Sequence, residues 1–187
     1  FIPLQSLSFN FVLKVKGMKK RILIPSDFTI DSLFFVIQSI EQSKANELEI
    51  ILVYGNRSST SITELLGITL EDHLKELHSE DFIKACQMIC HRYEDRKLNI
   101  YTDIIGTENA NYLHNYLKGA AIDEIRVPTN YAFEKRTKQF FDVGKALLRL
   151  NERKRGRVGI IQKTGAEKIE RNVLSDLFFN KKWDVNY

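Results

Sequence analysis

The sequence is short of the residues that usually announce chemistry. Its 187 residues include two cysteines, three prolines, nine glycines and one tryptophan. Cys86 and Cys90 both fall inside one helical pattern, so no disulfide framework exists. That suits a reducing compartment and a cytoplasmic protein. Zinc sites usually combine Cys-x2–4-Cys with a second distant pair, and no second pair is present. The thiols therefore read as buried and inert. His73, His78 and His114 are scattered over helical patterns, and His73-Leu74-Lys75-Glu76-Leu77-His78 lacks the His-Glu-x-x-His spacing of zinc proteases. No metal site is expected. The few glycines form no Gly-x-Ser-x-Gly elbow, no Walker loop and no Gly-x-Gly-x-x-Gly turn. No catalytic residue is expected from these patterns. No apolar run approaches about 18 residues, which excludes a membrane-spanning helix of the usual kind.

What is present is ordinary globular composition, 43% hydrophobic and 28% charged. A chain of this length can bury a full core without metals or disulfides. The net charge of +4 is uneven. Residues 132–187 hold 14 Lys/Arg against 7 Asp/Glu, whereas residues 1–131 hold 14 against 17. Lys145, Arg149 and Arg153 make a stripe at four-residue spacing, continued by Lys154, Arg155 and Arg157. Cations near a helix C-terminus are favourable in themselves. No aromatic stacking motif accompanies them, so a nucleic-acid partner is not expected.

The most informative stretch is Arg21-Ile22-Leu23-Ile24-Pro25-Ser26-Asp27-Phe28. An apolar run stops in Pro-Ser-Asp, and an amphipathic segment follows. That pattern predicts a buried parallel strand delivering Asp27 to the mouth of an α/β sheet, where ligand crevices lie. Further strands are expected over 48–54, 98–105, 122–127 and 158–162. Helices are expected over 29–44, from Thr69 to about Arg96 with a break near Ser79, from a Thr107 cap to a glycine stop at Gly119, over 140–151, and over 166–179. A Ser-rich loop is expected over 57–61. Alternating strands and helices predict a three-layer α/β sandwich with a mostly parallel sheet and right-handed crossovers. Residues 1–17 are expected to be a non-native leader or an added edge strand, because Phe9, Phe11, Leu13 and Val15 alternate with Asn10, Val12, Lys14 and Lys16. Residues 18–187 read as one domain with a helical tail.

Ser26, Asp27, Thr129 and Asn130 should meet between the first and fourth strands as a small polar ligand site. Asp27 can also serve as a helix N-terminal carboxylate, and Pro128-Thr129-Asn130 is also plain turn chemistry. A phosphoacceptor receiver domain is the alternative from another class, using Asp27, Asp103, Thr129 and Lys163.

With these elements placed, the opening Ile22–Phe28, the helix after it and Leu48–Tyr54 resemble universal stress proteins, whose first strand ends in Pro-x-Asp followed by Phe and Ser or Thr. Phe28-Thr29 fits that pattern, and Asp123 before an apolar run is similar to the family's fourth strand. The resemblance covers about residues 19–130. It implies a flavodoxin- or universal-stress-like sheet of order 3-2-1-4-5, with Asp27 near an adenosine. It also implies homodimerisation through the last strand, here Val158-Gly159-Ile160-Ile161. ATP-binding members carry Gly-x2-Gly-x9-Gly-Ser/Thr after strand four. Here Pro128-Thr129-Asn130-Tyr131-Ala132-Phe133 follows Val127, and no glycine appears until Gly144. The implied protein is a cytoplasmic stress-response regulator or small-ligand binder, non-catalytic, with ATP and AMP disfavoured as cofactors. Nucleotide binding with slow ATP hydrolysis is the alternative within the fold.

Overall fold

The computed structural model describes residues 18–57 and 70–154. The leader 1–17, most of the Ser-rich loop, the strand expected over 158–162 and the helix expected over 166–179 lie outside the described residues.

The elements are β1 (Lys19–Pro25), α1 (Leu33–Gln42), β2 (Glu47–Gly55), α2 (Leu70–Leu77), α3 (Glu80–Arg92), β3 (Leu98–Ile105), α4 (Ala110–Gly119), β4 (Glu124–Ile125) and α5 (Val143–Lys154). The strands run parallel in the order β3-β2-β1-β4, the order expected for these four positions. Ile22, Leu23 and Ile24 are fully buried because both faces of β1 are covered. Each contributes about 1.5–3 kcal/mol by leaving water. Ile22, Ile24, Ile50, Leu52 and Tyr54 face α1, α2 and α3, while Leu23, Val53 and Ile105 face α4 and α5. Three layers result. Right-handed crossovers require this division, because β1-β2-β3 step one way across the sheet and β3-β4 steps back.

Charge pairs close the N-terminal end of the sheet. Lys19 Nζ lies 2.8 Å from Glu49, and Arg21 Nε donates to the same carboxylate at 2.6 Å. These cations hold the Glu49 carboxyl below its usual range. Arg96 donates to Ile40 O and Ala45 O at 2.6 and 3.1 Å, satisfying carbonyls at and beyond the end of α1.

Several boundaries differ from expectation. The first helix begins at Leu33, not Thr29, because the chain first turns at Phe28 with φ 55°. The break expected near Ser79 is present: the pattern after Thr69 divides into two helices, and Ser79 caps the second by accepting from Phe82 N at 3.2 Å. The third expected helix is capped by Asn109, which accepts from Asn111 N and Tyr112 N, rather than by Thr107. Its stop is not glycine: Gly119 is helical and Ala121 takes the left-handed conformation, φ 49°. Strand four is two residues long, not six. Hydrogen bonds from Asp123 N to Arg21 O and from Arg126 N to Leu23 O extend its contact with β1, and Pro128, with no N–H, ends it. The helix expected at Phe140 starts at Val143, since Phe140 and Phe141 pair with the end of β2 instead.

Candidate functional site

β1 delivers Asp27 to the carboxyl end of the sheet, as its sequence requires. Ser26 N still bonds across to Val53 O at 2.9 Å. Ser26 Oγ accepts from Phe28 N and pairs with Ser32 Oγ, at 3.0 and 2.8 Å. Between these bonds the chain reverses through Phe28. A bulky residue at positive φ is strained and persists only where its surroundings hold it. Phe28 is fully buried, with its ring 4.8 Å from His78, 5.6 Å from Phe82 and 5.8 Å from Tyr54.

Asp27 is 1% exposed, and protein donors surround its carboxylate. Oδ1 accepts from Thr29 N at 3.1 Å and Thr29 Oγ1 at 2.6 Å. Oδ2 accepts from Tyr131 OH and from Glu134 N, both at 2.9 Å. Burial pushes the Tyr131 phenol well above its usual range, and the Asp27 charge raises it further. The phenol therefore keeps its proton and stays a donor. From the β4 side it is Tyr131 and Glu134 that reach Asp27. Thr129 is half-buried, and Asn130 is exposed with φ 61°, turning the chain so that Tyr131 points back.

Residues 128–142 form a strap across the crevice. Arg136 N donates to Tyr54 OH at 3.1 Å, Thr137 Oγ1 to Asn56 Oδ1 at 2.7 Å, and Phe141 N to Gly55 O at 3.1 Å. Arg136 also reaches Leu77 O at 2.5 Å, tying the strap to the end of α2. Phe133, Phe140 and Phe141 then pack against Pro25, Ser26, Val53 and Gly55, leaving no room for a water molecule. The N-terminus of α5, a natural phosphate seat, is already served: Asp142 Oδ1 accepts from Lys145 N at 3.0 Å. A carboxylate there repels a phosphate.

Sequence reading missed Tyr131, Phe133, Glu134, Phe140, Phe141 and Asp142. Its available signal was four aromatics within residues 131–141, where a phosphate loop needs glycine.

Other candidates have quieter roles. Cys86 and Cys90 are half-buried free thiols, not fully buried as expected. Burial still pushes the Cys86 thiol up to about 12, so it stays protonated and unreactive. No group of metal ligands occurs among the described residues. Asp103 accepts from Tyr116 OH at 2.7 Å and from Ile104 N at 2.8 Å. β2 separates it from β1, roughly 10 Å away at two strand spacings. Receivers use the order 2-1-3-4-5, which seats strand three beside strand one. The observed order therefore corrects the receiver alternative, while Lys163 lies outside the described residues. In the basic stripe Lys145 sits 3.5 Å from Asp142 and Arg149 sits 3.9 Å from Glu108.

His78 adds a pH dependence. Its Nε2 is buried with no hydrogen-bond partner among the described residues, and its ring stacks on Phe82 at 5.5 Å. Burial, then the Arg136 charge, lowers its pKa below the ordinary 6.5. The folded state thus prefers neutral His78. The stability it gives is present above the unfolded pKa and is lost as pH falls below about 6.5. Urea unfolding at pH 7.5 and 5.5 should show a larger loss for the wild type than for His78→Phe. Equal losses would remove His78 from this account.

No protein-family model and no curated protein sequence matches the chain. Among solved structures it is similar to universal stress protein UspA from Lactobacillus plantarum. Identity is 14%, coverage 78% of this chain and 97% of that one, and the TM-score 0.48. It is also similar to a protein from the universal stress protein family from Burkholderia pseudomallei, at 12% identity, 78% and 96% coverage and TM-score 0.41. A universal stress protein in complex with cAMP gives 12%, 78% and 97%, and 0.38. The likeness is one of fold. No residue role is carried over from it.

Proposed function

We propose that the protein is a universal-stress-like regulatory module of the cytoplasm that acts through contacts or a small ligand, without catalysis and without holding ATP tightly. The observation that supports this reading is the filled crevice. Aromatic side chains of the strap occupy the space outside the carboxyl ends of β1 and β2, and Asp142 occupies the helix terminus where a phosphate would sit. A nucleotide would have to displace packed rings and bring its charge beside a carboxylate. Among the described residues no helix is long and apolar enough to cross a membrane, which is compatible with the location proposed.

Isothermal titration with ATP, AMP and cAMP tests this. The expected result is no binding tighter than about 10 µM. A dissociation constant at or below that value, about −7 kcal/mol, would favour the rival reading of a nucleotide binder with slow hydrolysis. The reading also includes a homodimer through Val158–Ile161. Light scattering should then give about twice 21.8 kDa, and Ile160→Lys should return the mass to one copy. A wild-type mass of one copy would sink the dimer.

A further inference from the structure

Away from the filled crevice, a cleft lies between α1 and the end of β4. It is lined by Phe35, Gln38, Ser39, Gln42, Arg126 and Pro128, among others, and holds about 270 Å³ with its open mouth. Its inner space suits a group of a few atoms and no more.

The Arg126 side chain is 8% exposed. Its Nε donates to Glu124 Oε1 at 2.6 Å, and its Nη1 to Gln42 Oε1 at 3.2 Å. The same Glu124 carboxylate also pairs with Lys20. Two cations thus share one anion, and the three groups together carry one net positive charge. A buried charge without full compensation is costly. Guanidinium carries five N–H donors, so this one has donors to spare. Ser39 is 2% exposed and lines the same cleft, and its hydroxyl has no hydrogen-bond partner among the described residues. A net positive charge, spare planar donors and an unpartnered hydroxyl meet at one small space.

We propose that this cleft is a binding subsite for a single carboxylate group, held by the free edge of the Arg126 guanidinium and by the Ser39 hydroxyl. Arginine forks match carboxylate geometry, and hydrogen bonds to ions are about twice as strong as neutral ones. Phe35 and Pro128 supply apolar walls beside it. The carboxylate comes from a free small acid or from an acidic side chain of another copy of this chain.

The test is an NMR titration of the whole chain with sodium formate, following the Arg126 Nε–Hε signal, assigned by its loss in Arg126→Lys. Sodium chloride at equal ionic strength is the control. A saturable shift with formate, absent with chloride, is expected. Ser39→Ala should weaken formate binding by about tenfold, the worth of a hydrogen bond to a charged group. Alanine is the best helix former, so this variant keeps α1 even if Arg126→Lys does not fold. Light scattering then separates the sources. A mass that drops on adding formate assigns the carboxylate to a second copy, and an unchanged mass assigns it to a free acid. No formate shift, an equal shift with chloride, or an unchanged affinity in Ser39→Ala overturns the proposal.

Discussion

Asp27→Ala is expected to destabilise the fold by about 3–5 kcal/mol, because several hydrogen bonds to one charged group, each worth about 1.5–3 kcal/mol, are lost together, offset in part by removing a buried charge. The change strips the acceptor from Thr29 N, Thr29 Oγ1, Tyr131 OH and Glu134 N together. Tyr131 and Thr29 can fall back on each other, since their oxygens lie 3.0 Å apart. Glu134 N has no such substitute in the geometry around Asp27, and it loses a hydrogen bond to a charged acceptor, worth about 1.5–3 kcal/mol. Asp27→Asn should lie between wild type and alanine, because its amide keeps one acceptor and turns a donor toward a donor. Urea unfolding measures both variants. In a chain of this size the alanine loss corresponds to a fall of roughly 6–20 °C in Tm. A loss under about 1 kcal/mol would mean that Asp27 does not fasten the strap, and a role facing a ligand would regain ground.

This prediction differs from what Asp27 suggests in sequence, and the difference has a physical origin. The position of Asp27 was legible. Three consecutive apolar residues before Pro25 require a strand covered on both faces, and its carboxyl end is where the next polar residue must sit. β3 was legible to the residue, and so was the break at Ser79, where a capping serine precedes Glu80 and Asp81. The fate of the Asp27 carboxylate was not. Two of its four donors lie 104 and 107 residues further along the chain. One of them is a backbone N–H, which every residue but proline has and which leaves no mark in a sequence. Phe28 was equally hidden. Nothing in its side chain favours positive φ, and only the rings around it hold the turn. The short β4 followed from contacts as well: Ile122 N closes the end of α4 on Leu117 O, so that residue is spent before the strand begins. The absence of glycine between Val127 and Gly144 was plain in the sequence. What replaces it was visible only as a count of aromatics, because packing decides whether such rings fill a crevice or line a binding surface.

Gly55→Ala should act on the other end of the same strap, and by a different mechanism. A Cβ on Gly55 would lie 2.2 Å from the Phe141 carbonyl oxygen and 2.7 Å from Val143 Cγ2. The first neighbour is backbone, so rotation of a side chain cannot relieve it. Gly55 is therefore needed for close approach, where two backbones meet with no space for a methyl group. The hydrogen bond from Phe141 N to Gly55 O and the bridge between Asn56 and Phe140 must lengthen or break to admit it. Overpacking of a dense core costs about 1–3 kcal/mol, and the lost backbone bonds place Gly55→Ala at about 3 kcal/mol. The local consequence separates it from general destabilisation. Amide hydrogen exchange should rise at Phe141 and Arg57, whose N–H groups bond across this seam. Protection within β1 should stay high relative to the strap. An alanine variant as stable as wild type, with Phe141 still protected, would show that the strap does not press on β2 and that the crevice is not tightly closed.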